Sequence, residues 1–308
     1  FYLFRLLCKL LKDYFWASGL AILFFSSPLL VYYANNYLTN ASALALGIIG
    51  LYHFYSFYES KRTVSLYYSA LFYFLAGSFK ITGLFMVFSI LGYLIIERKG
   101  ILQLSNSKFR IFKRKIFQIT PFLIVLIIIG GWIIYARFYN TQHNSHHFST
   151  TIFPIWNLDL EEIQGTFERI RKLWMPSYYS KYTLILLGLL GLSIPVNYRY
   201  IHPLILTLTI LLLPIIILFI LFQFWTFKQH DYYTINLYIL SVMILAASFS
   251  GILNRFPHLS RNYILKSLFV VFLLVNVVYA RKEYTRRFSG WMNENSEFLA
   301  FREIKDKL

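Results

Sequence analysis

Long apolar runs separated by short polar connections dominate this chain. Pro203–Phe227 is an apolar run of 25 residues without a charge, which span roughly 37 Å as a helix at about 1.5 Å per residue. A helix of this length crosses a bilayer core of about 30 Å with some tilt. The pattern predicts an all-α, polytopic transmembrane bundle of about nine spans. The predicted segments are Tyr14–Tyr33, Ser42–Tyr58, Val64–Phe79, Thr82–Ile96, Phe117–Ala136, Thr183–Val196, Pro203–Trp225, Tyr233–Leu253 and Tyr263–Ala280.

The predicted number of spans is accurate to about one. Val64–Phe79 and Thr82–Ile96 are separated only by Lys80 and Ile81, so they are either two spans or one kinked element. Several segments are also shorter than the roughly 20 residues of an average span. We expect one transmembrane helical domain over residues 1–280, followed by the start of an extracytoplasmic segment at 281–308.

The basic residues predict the orientation of the bundle. The connection 97–115 holds seven Lys and Arg residues and the first 13 residues hold three, whereas 34–41 holds none. Lys and Arg are enriched in cytoplasmic connections. The predicted cytoplasmic connections are 1–13, 59–63, 97–115, 197–202 and 254–262, and the external ones are 34–41, the Lys80 break, 138–182 and 226–232. With nine spans, the basic tail after Ala280 lies outside the cytoplasm, whereas basic residues next to a span favour the cytoplasmic side. An even number of spans therefore remains an alternative.

The long connection 138–182 contains a predicted amphipathic helix. Asn157 or Asp159 is the expected N-cap, with acidic residues in the first turn. Apolar residues then recur at helical spacing, at Ile163, Phe167, Ile170 and Trp174. Such a helix is suited to lie on the membrane surface at the periplasmic side, and a helix that caps the bundle explains the pattern equally well.

Composition agrees with a membrane protein and excludes other classes. The chain is 58% hydrophobic, 20% aromatic and 14% charged, against about 25% charged residues in soluble domains. A net charge of +17 would indicate nucleic acid in a soluble protein. Here the charges lie between apolar runs, so the orientation rule explains them and we expect no nucleic-acid partner. The single cysteine, Cys8, excludes an internal disulfide framework and a cysteine-based zinc site.

The ends of the sequence predict a fragment. The chain begins at Phe1, and its last eight residues, from Phe301 to Leu308, have the pattern of the start of a further element. The first 13 residues lack the small-residue cleavage site of a signal peptide. We therefore expect truncation at both ends.

Lys80 is the first candidate for chemistry, because it interrupts an apolar stretch. A charge at mid-membrane costs on the order of 3 kcal/mol, so such residues usually pair or have a function. The ammonium is a point charge suited to receive a phosphate. The structural alternative is a lysine in a loop whose long side chain reaches water.

The second candidate is the run from Lys228 to Tyr233, Lys-Gln-His-Asp-Tyr-Tyr, at the entrance to a span. His230 and Asp231 lie beside Lys228 and two tyrosines, Tyr232 and Tyr233. Such a group can bind a phosphate or a sugar hydroxyl and can orient a proton donor. The structural alternative for Asp231 is N-capping of the following helix.

The third candidate is the histidine-rich stretch after Phe138. Tyr139, Asn140 and His143 are followed by His146 and His147. Three histidines this close together can hold a metal, but neither an acid nor a cysteine stands at ligand spacing. Solvated loop histidines are the structural alternative. We predict no metal ligands, and the sequence leaves open whether a divalent metal is required.

Three motifs carry a resemblance to a known family. They are Ser27-Pro28-Leu-Leu-Val-Tyr-Tyr-Ala-Asn-Asn-Tyr-Leu-Thr-Asn40, Leu75-Ala-Gly-Ser-Phe-Lys80-Ile-Thr-Gly, and His230-Asp-Tyr-Tyr. Together they resemble the GT-C membrane glycosyltransferases of the family 39 type, the branch of the protein O-mannosyltransferases and the lipid A aminoarabinose transferases. The resemblance covers nearly the whole chain, although its motifs are short.

The resemblance implies an enzyme of the bacterial inner (plasma) membrane. Such enzymes take a sugar from a polyprenyl-phosphate carrier and transfer it, outside the cytoplasm, to a hydroxyl or phosphate of a lipid, glycan or protein acceptor. Departure of the carrier phosphate requires positive charge, which Lys80 and Lys228 would supply. The expected substrate-binding residues are Asn40, Lys80, Tyr139, Asn140, His143, Lys228, His230, Asp231, Tyr232 and Tyr233.

Two departures from the family pattern leave the catalytic base unassigned. Asn40 stands where relatives often carry Asp, and an amide hydrogen-bonds a sugar but cannot act as a base. The family's catalytic acid lies in the first outer loop, which would precede Phe1. Asp231 is the fallback, although neighbouring cations would lower its pKa and weaken it as a base. We therefore expect residues 1–308, expressed alone, to show no sugar transfer.

The alternative function is a non-catalytic polysaccharide transport or polymerase-like membrane protein. A transporter is expected to carry charged residues near the midplane of several spans, often in paired repeats. The predicted spans are nearly free of charge, and the polar residues cluster at one face, which favours an enzyme working at the outer surface.

Overall fold

The computed structural model describes residues 1–36, 38–99, 118–145 and 151–286. Within these ranges the chain forms helices and no strand, so the all-α prediction is confirmed. The α-helices are α1 (Tyr2–Leu11), α2 (Tyr14–Phe25), α3 (Pro28–Ala34), α4 (Thr39–Ser60), α5 (Thr63–Phe79), α6 (Phe85–Lys99), α7 (Thr120–Gln142), α8 (Leu160–Arg169), α9 (Met175–Tyr178), α10 (Lys181–Asn197), α11 (Pro203–Phe222), α12 (Thr226–Gln229), α13 (Tyr238–Arg255) and α14 (Tyr263–Tyr284). Short 3₁₀ helices include Ile81–Leu84, Asp231–Leu237 and Pro257–Arg261.

Six helical stretches of the described chain are long and apolar enough to cross a membrane. They are α4, α7, α10 with the 3₁₀ turn to Tyr200, α11, α13 with the 3₁₀ helix before it, and α14. Counting α2 and α3 as one bent span gives seven. Segments α5 and α6 form helices of 17 and 15 residues, shorter than the spans above. Length and composition thus support a membrane protein with six or seven spans, and the count of nine stays a prediction.

The predicted segment Tyr14–Tyr33 is not one straight helix, because the chain bends by 78° between α2 and α3. Proline has no backbone N–H and forces the residue before it into extended conformation. Ser27 accordingly has φ −85° and ψ 122°, and its hydroxyl accepts the backbone N–H of Leu30 as an N-cap. The Ser27–Pro28 pair therefore starts a new helix that turns sharply away from the axis of α2.

Helices α5 and α6 run in opposite directions, so the alternative of one kinked element is wrong. The chain reverses so tightly that a Cβ placed on Gly83 would lie 2.8 Å from the carbonyl carbon of Ala76. At the far end of α6, the Glu97 carboxylate acts electrostatically on Tyr58 and Lys61 at the end of α4. The reversal puts Lys80 in a turn at the same end of the bundle as the start of α4.

The connection between α7 and α10 packs on the bundle through α8, which contacts α12. Asp159 is its N-cap and accepts the backbone N–H of Glu162 at 2.7 Å, which confirms one of the two predicted caps. The buried Trp174 donates from Nε1 to the carbonyl of Phe227, just inside α12. Leu160 stays 75% exposed. The capping alternative is thus observed, and a position of this helix on the membrane surface stays a prediction.

The end of α14 lies at the same end of the bundle as α3. The rings of Tyr284 and Tyr32 are 6.2 Å apart, and the Tyr279 hydroxyl donates to the carbonyl of Pro176 in α9. The start of the basic tail is therefore on the face that the loop count gave it. Residues 287–308, the connection after Lys99 and the pair His146 and His147 lie outside the described residues.

Candidate functional site

Lys80 lies in the turn between α5 and the 3₁₀ helix Ile81–Leu84. Its backbone is extended, and its carbonyl accepts the N–H of Gly83 at 2.8 Å. The half-buried ammonium sits 4.8 Å from the ring centroid of Tyr233 and 6.0 Å from that of Tyr232. Within the part of the chain that the structure describes, Lys80 forms no ion pair with a carboxylate. The turn thus holds a cation against two aromatic faces.

The run His230 to Tyr233 forms an aromatic stack beside this cation. The ring of His230 lies 4.9 Å from that of Tyr232, which in turn lies 5.0 Å from that of Tyr233. His230 is exposed and is the N-cap residue of the 3₁₀ helix Asp231–Leu237. The structure therefore brings Lys80, His230, Tyr232 and Tyr233 together, and we call these four residues the Lys80 cluster.

Asp231 does not take the N-cap position proposed as its structural role. It is 7% exposed, and its carboxylate accepts a hydrogen bond of 2.6 Å from the hydroxyl of Tyr33 in α3. Its backbone carbonyl accepts the hydroxyl of Thr234 at 2.6 Å. The bond from Tyr33 ties the bent helix α3 to the base of the Lys80 cluster.

Asn40, at the start of α4, is buried against the backbone of the Lys80 cluster. Its side chain is 2% exposed, and Nδ2 donates to the carbonyl of Tyr232 at 3.1 Å and toward Oδ1 of Asn236 at 3.4 Å. Oδ1 of Asn236 also accepts the Thr82 hydroxyl at 2.7 Å. Asn236 therefore links the Lys80 turn, α4 and the 3₁₀ helix, and a sugar would reach the amide of Asn40 only by displacing these contacts.

Lys228 turns toward α8. A Cβ placed on Gly165 of α8 would lie 3.6 Å from Nζ of Lys228. The half-buried ammonium therefore stands beside α8. The structure puts the two candidate lysines on the same end of the bundle but gives them different neighbours.

Tyr139, Asn140 and His143 lie apart from the Lys80 cluster, in the last turns of α7. Helix α7 passes the end of α5 at Ile129, whose Cγ1 would lie 3.3 Å from a Cβ on Gly77. Tyr139 follows ten residues later, which is roughly 15 Å farther along the helix. The rings of Tyr139 and His143 are 4.3 Å apart. The described chain contains no group of three potential His, Cys, Asp or Glu metal ligands.

The electrostatics of Lys80 favour an anion. Burial lowers the pKa of the Lys80 ammonium from its ordinary value, because removal from water disfavours the charged form. An anion beside Nζ offsets this cost. A phosphate oxygen is such a partner, and the exposed ring of His230 marks the side from which solvent reaches the cluster.

Sequence reasoning missed the residues that position the site. Tyr33, Thr82 and Asn236 bond to Asp231 or to one another. Tyr33 and Thr82 lay in quoted motifs without an assigned role, and Asn236 lay in none. Polar residues beside predicted helix ends were the available signal, but their partners are distant in sequence.

None of the protein-family models, curated proteins or solved structures compared with the chain matches it. The residues of the Lys80 cluster and those that support them are therefore the features from which a function can be inferred.

Proposed function

We propose that this protein is a membrane glycosyltransferase that moves a sugar from a polyprenyl-phosphate carrier to an extracytoplasmic acceptor. The observation that carries the proposal is the half-buried Lys80 ammonium, held against Tyr232 and Tyr233 without a carboxylate partner in the described ranges. A cation in this setting suits a phosphate at the membrane surface, and tyrosine rings suit the face of a sugar.

The proposed reaction is a direct displacement at the anomeric carbon. The acceptor oxygen forms a bond to the anomeric carbon while the bond from that carbon to the phosphate oxygen breaks. The bonding electrons leave with the phosphate, whose charge Lys80 stabilises, and polyprenyl phosphate is released. The acceptor proton passes to a carboxylate base.

Asp231 is the carboxylate built into the site among the described residues, since Tyr33 fixes its position. The Asp231→Asn variant tests whether this carboxylate takes the proton. Lys228, beside α8, is proposed as a second cation for the acceptor or the carrier. The proposal places the cluster on the periplasmic or external side of the inner (plasma) membrane, in a bundle of nine spans.

The test uses the full-length native protein, with any residues that precede Phe1 or follow Leu308, purified and reconstituted in liposomes. Polyprenyl-phosphate mannose and polyprenyl-phosphate aminoarabinose serve as labelled donors, with bacterial lipid, glycan and protein fractions as acceptors. The readouts are label on the acceptor and release of polyprenyl phosphate. Because removal of one aimed electrostatic donor costs about 10²–10³-fold in rate, Lys80→Ala should lose that much transfer.

Lys181→Ala is the matched control. Lys181 also holds its ammonium 5.1 Å from a tyrosine ring, that of Tyr182, at the same end of the bundle, but it is exposed. Transfer that is equal in the Lys80→Ala and Lys181→Ala proteins would refute the role of Lys80. Movement of the intact lipid-linked sugar across the bilayer, without release of polyprenyl phosphate, would favour the transport alternative.

A further inference from the structure

A polar recess lies at the far end of α13 from the Lys80 cluster. This helix begins beside Asn236 and ends at Arg255, so its 18 residues separate the two ends by roughly 27 Å. The recess is open to its surroundings and has a volume of about 840 Å³, within the range of ligand-binding pockets. Its lining includes Leu11, Leu253, His258, Ser260, Arg261 and Asn262. We call it the 253–262 groove.

The charge around the groove is positive. The carboxylate of Asp13 is engaged, since Oδ1 accepts two backbone N–H groups at the start of α2 and Oδ2 accepts the hydroxyl of Ser260. Lys266 adds an ion pair of 3.9 Å to the same carboxylate. Arg261 in the groove wall and Lys12 beside it are exposed, and neither pairs with a carboxylate in the described part of the chain.

An apolar stripe leads out of the groove along α14. Ile264, Leu268, Val271 and Val275 are 75%, 63%, 57% and 53% exposed, and they recur at helical spacing. These four residues span 12 positions, or roughly 16 Å from the first to the last, and the exposed apolar face continues to Val278, which is 66% exposed. The part of this exposed face nearest the groove can therefore lie against an acyl chain within one leaflet, which is about 15 Å thick.

We propose that the 253–262 groove binds the head group of an anionic diacyl phospholipid. Arg261 donates to the phosphate, because a guanidinium offers paired N–H donors in a geometry that fits phosphate oxygens. One acyl chain of the same lipid follows the stripe on α14. Basic pockets between membrane helices recognise anionic head groups in this manner, and the apolar stripe selects a lipid over a free anion.

The test is native mass spectrometry of the full chain, released from nanodiscs of equimolar phosphatidylglycerol and phosphatidylcholine. The wild-type protein should retain phosphatidylglycerol in preference to phosphatidylcholine. Arg261→Gln should reduce this preference about tenfold, the effect of losing one hydrogen bond to a charged group. Arg261→Lys, which keeps the charge, should retain part of it.

Arg199→Gln is the matched control, since Arg199 is an exposed arginine at the same end of the bundle, outside the groove lining. Melting temperatures of all variants establish that each is folded. Equal loss in the Arg199 and Arg261 variants would show general surface charge and overturn the proposal. Absence of a preference in the wild type would also overturn it, as would displacement of the bound lipid by millimolar glycerol 3-phosphate, which would identify a site for a free anion.

Discussion

Gly83→Ala is a sharp test of the turn that positions Lys80. A Cβ on residue 83 would lie 2.8 Å from both the carbonyl carbon and oxygen of Ala76, and 2.9 Å from its Cβ. Ordinary contacts between carbon atoms begin at about 3.5 Å. The turn must therefore open by roughly 0.7 Å against helix backbone, whose carbonyl also accepts the Lys80 N–H at 2.9 Å.

The expected cost lies at the upper end for overpacking, about 3 kcal/mol, because backbone atoms cannot rotate away as a side chain does. The widened turn should carry Lys80 away from Tyr233, and a misplacement of about 1 Å can cost 10²-fold in a catalytic site. We expect a lower melting temperature in detergent. We also expect faster modification of Lys80 by an amine reagent, measured by peptide mass spectrometry, which does not depend on any activity.

Gly130→Ala is the control, because a Cβ at Gly130 in α7 meets no atom within 4 Å. Replacing glycine in a helix interior stabilises it by about 0.5–1 kcal/mol, so this variant should melt at or above the wild-type temperature. If Gly83→Ala melts like Gly130→Ala and Lys80 reacts at the wild-type rate, the close packing of the turn is refuted.

Three further predictions concern the support of the site, the opposite end of the bundle and the orientation. Tyr33→Phe removes the 2.6 Å hydrogen bond to buried Asp231 and should lower the free energy of unfolding by about 1–3 kcal/mol; unchanged denaturant unfolding would contradict this. Burial lowers the pKa of His202 from 6.5 to about 4, so the unfolded chain binds a proton that the folded chain excludes. Stability should therefore fall by about 3 kcal/mol as the pH drops from 6.5 to 4 and be unaffected by this group above pH 6.5; an equal fall in His202→Gln would assign the effect elsewhere. In a Cys8→Ser background, a cysteine introduced by Ser145→Cys should react with an impermeant maleimide in intact cells, and reaction only after permeabilisation would reverse the orientation.

The local pattern of residues was sufficient for the fold class and for two parts of the candidate site. Apolar runs longer than 20 residues predict helices in a membrane because each backbone polar group must bond within its own segment. A single lysine in such a run marks a break, and Lys80 indeed lies in a turn. The cluster of polar and aromatic residues from His230 to Tyr233 was recognisable because it stands next to a span.

The tertiary structure decided where the chain bends and what each polar side chain contacts. The sequence shows Ser27 and Pro28, but it did not predict the 78° bend between α2 and α3. Proline also occurs inside continuous membrane helices when neighbours satisfy the freed carbonyls. The direction of α6 depended on how closely Gly83 approaches Ala76, which hydropathy does not record.

The same limit applies to Asn40 and Asp231. Asp231 bonds to Tyr33 across 198 positions of sequence, and Asn40 bonds to the carbonyl of Tyr232 across 192. Sequence alone identified both as polar residues at helix ends, where capping and substrate binding are equally good explanations. Their partners follow from which helices pack together, since a hydrogen bond requires its two atoms to lie about 3 Å apart, and local periodicity contains no information on that distance.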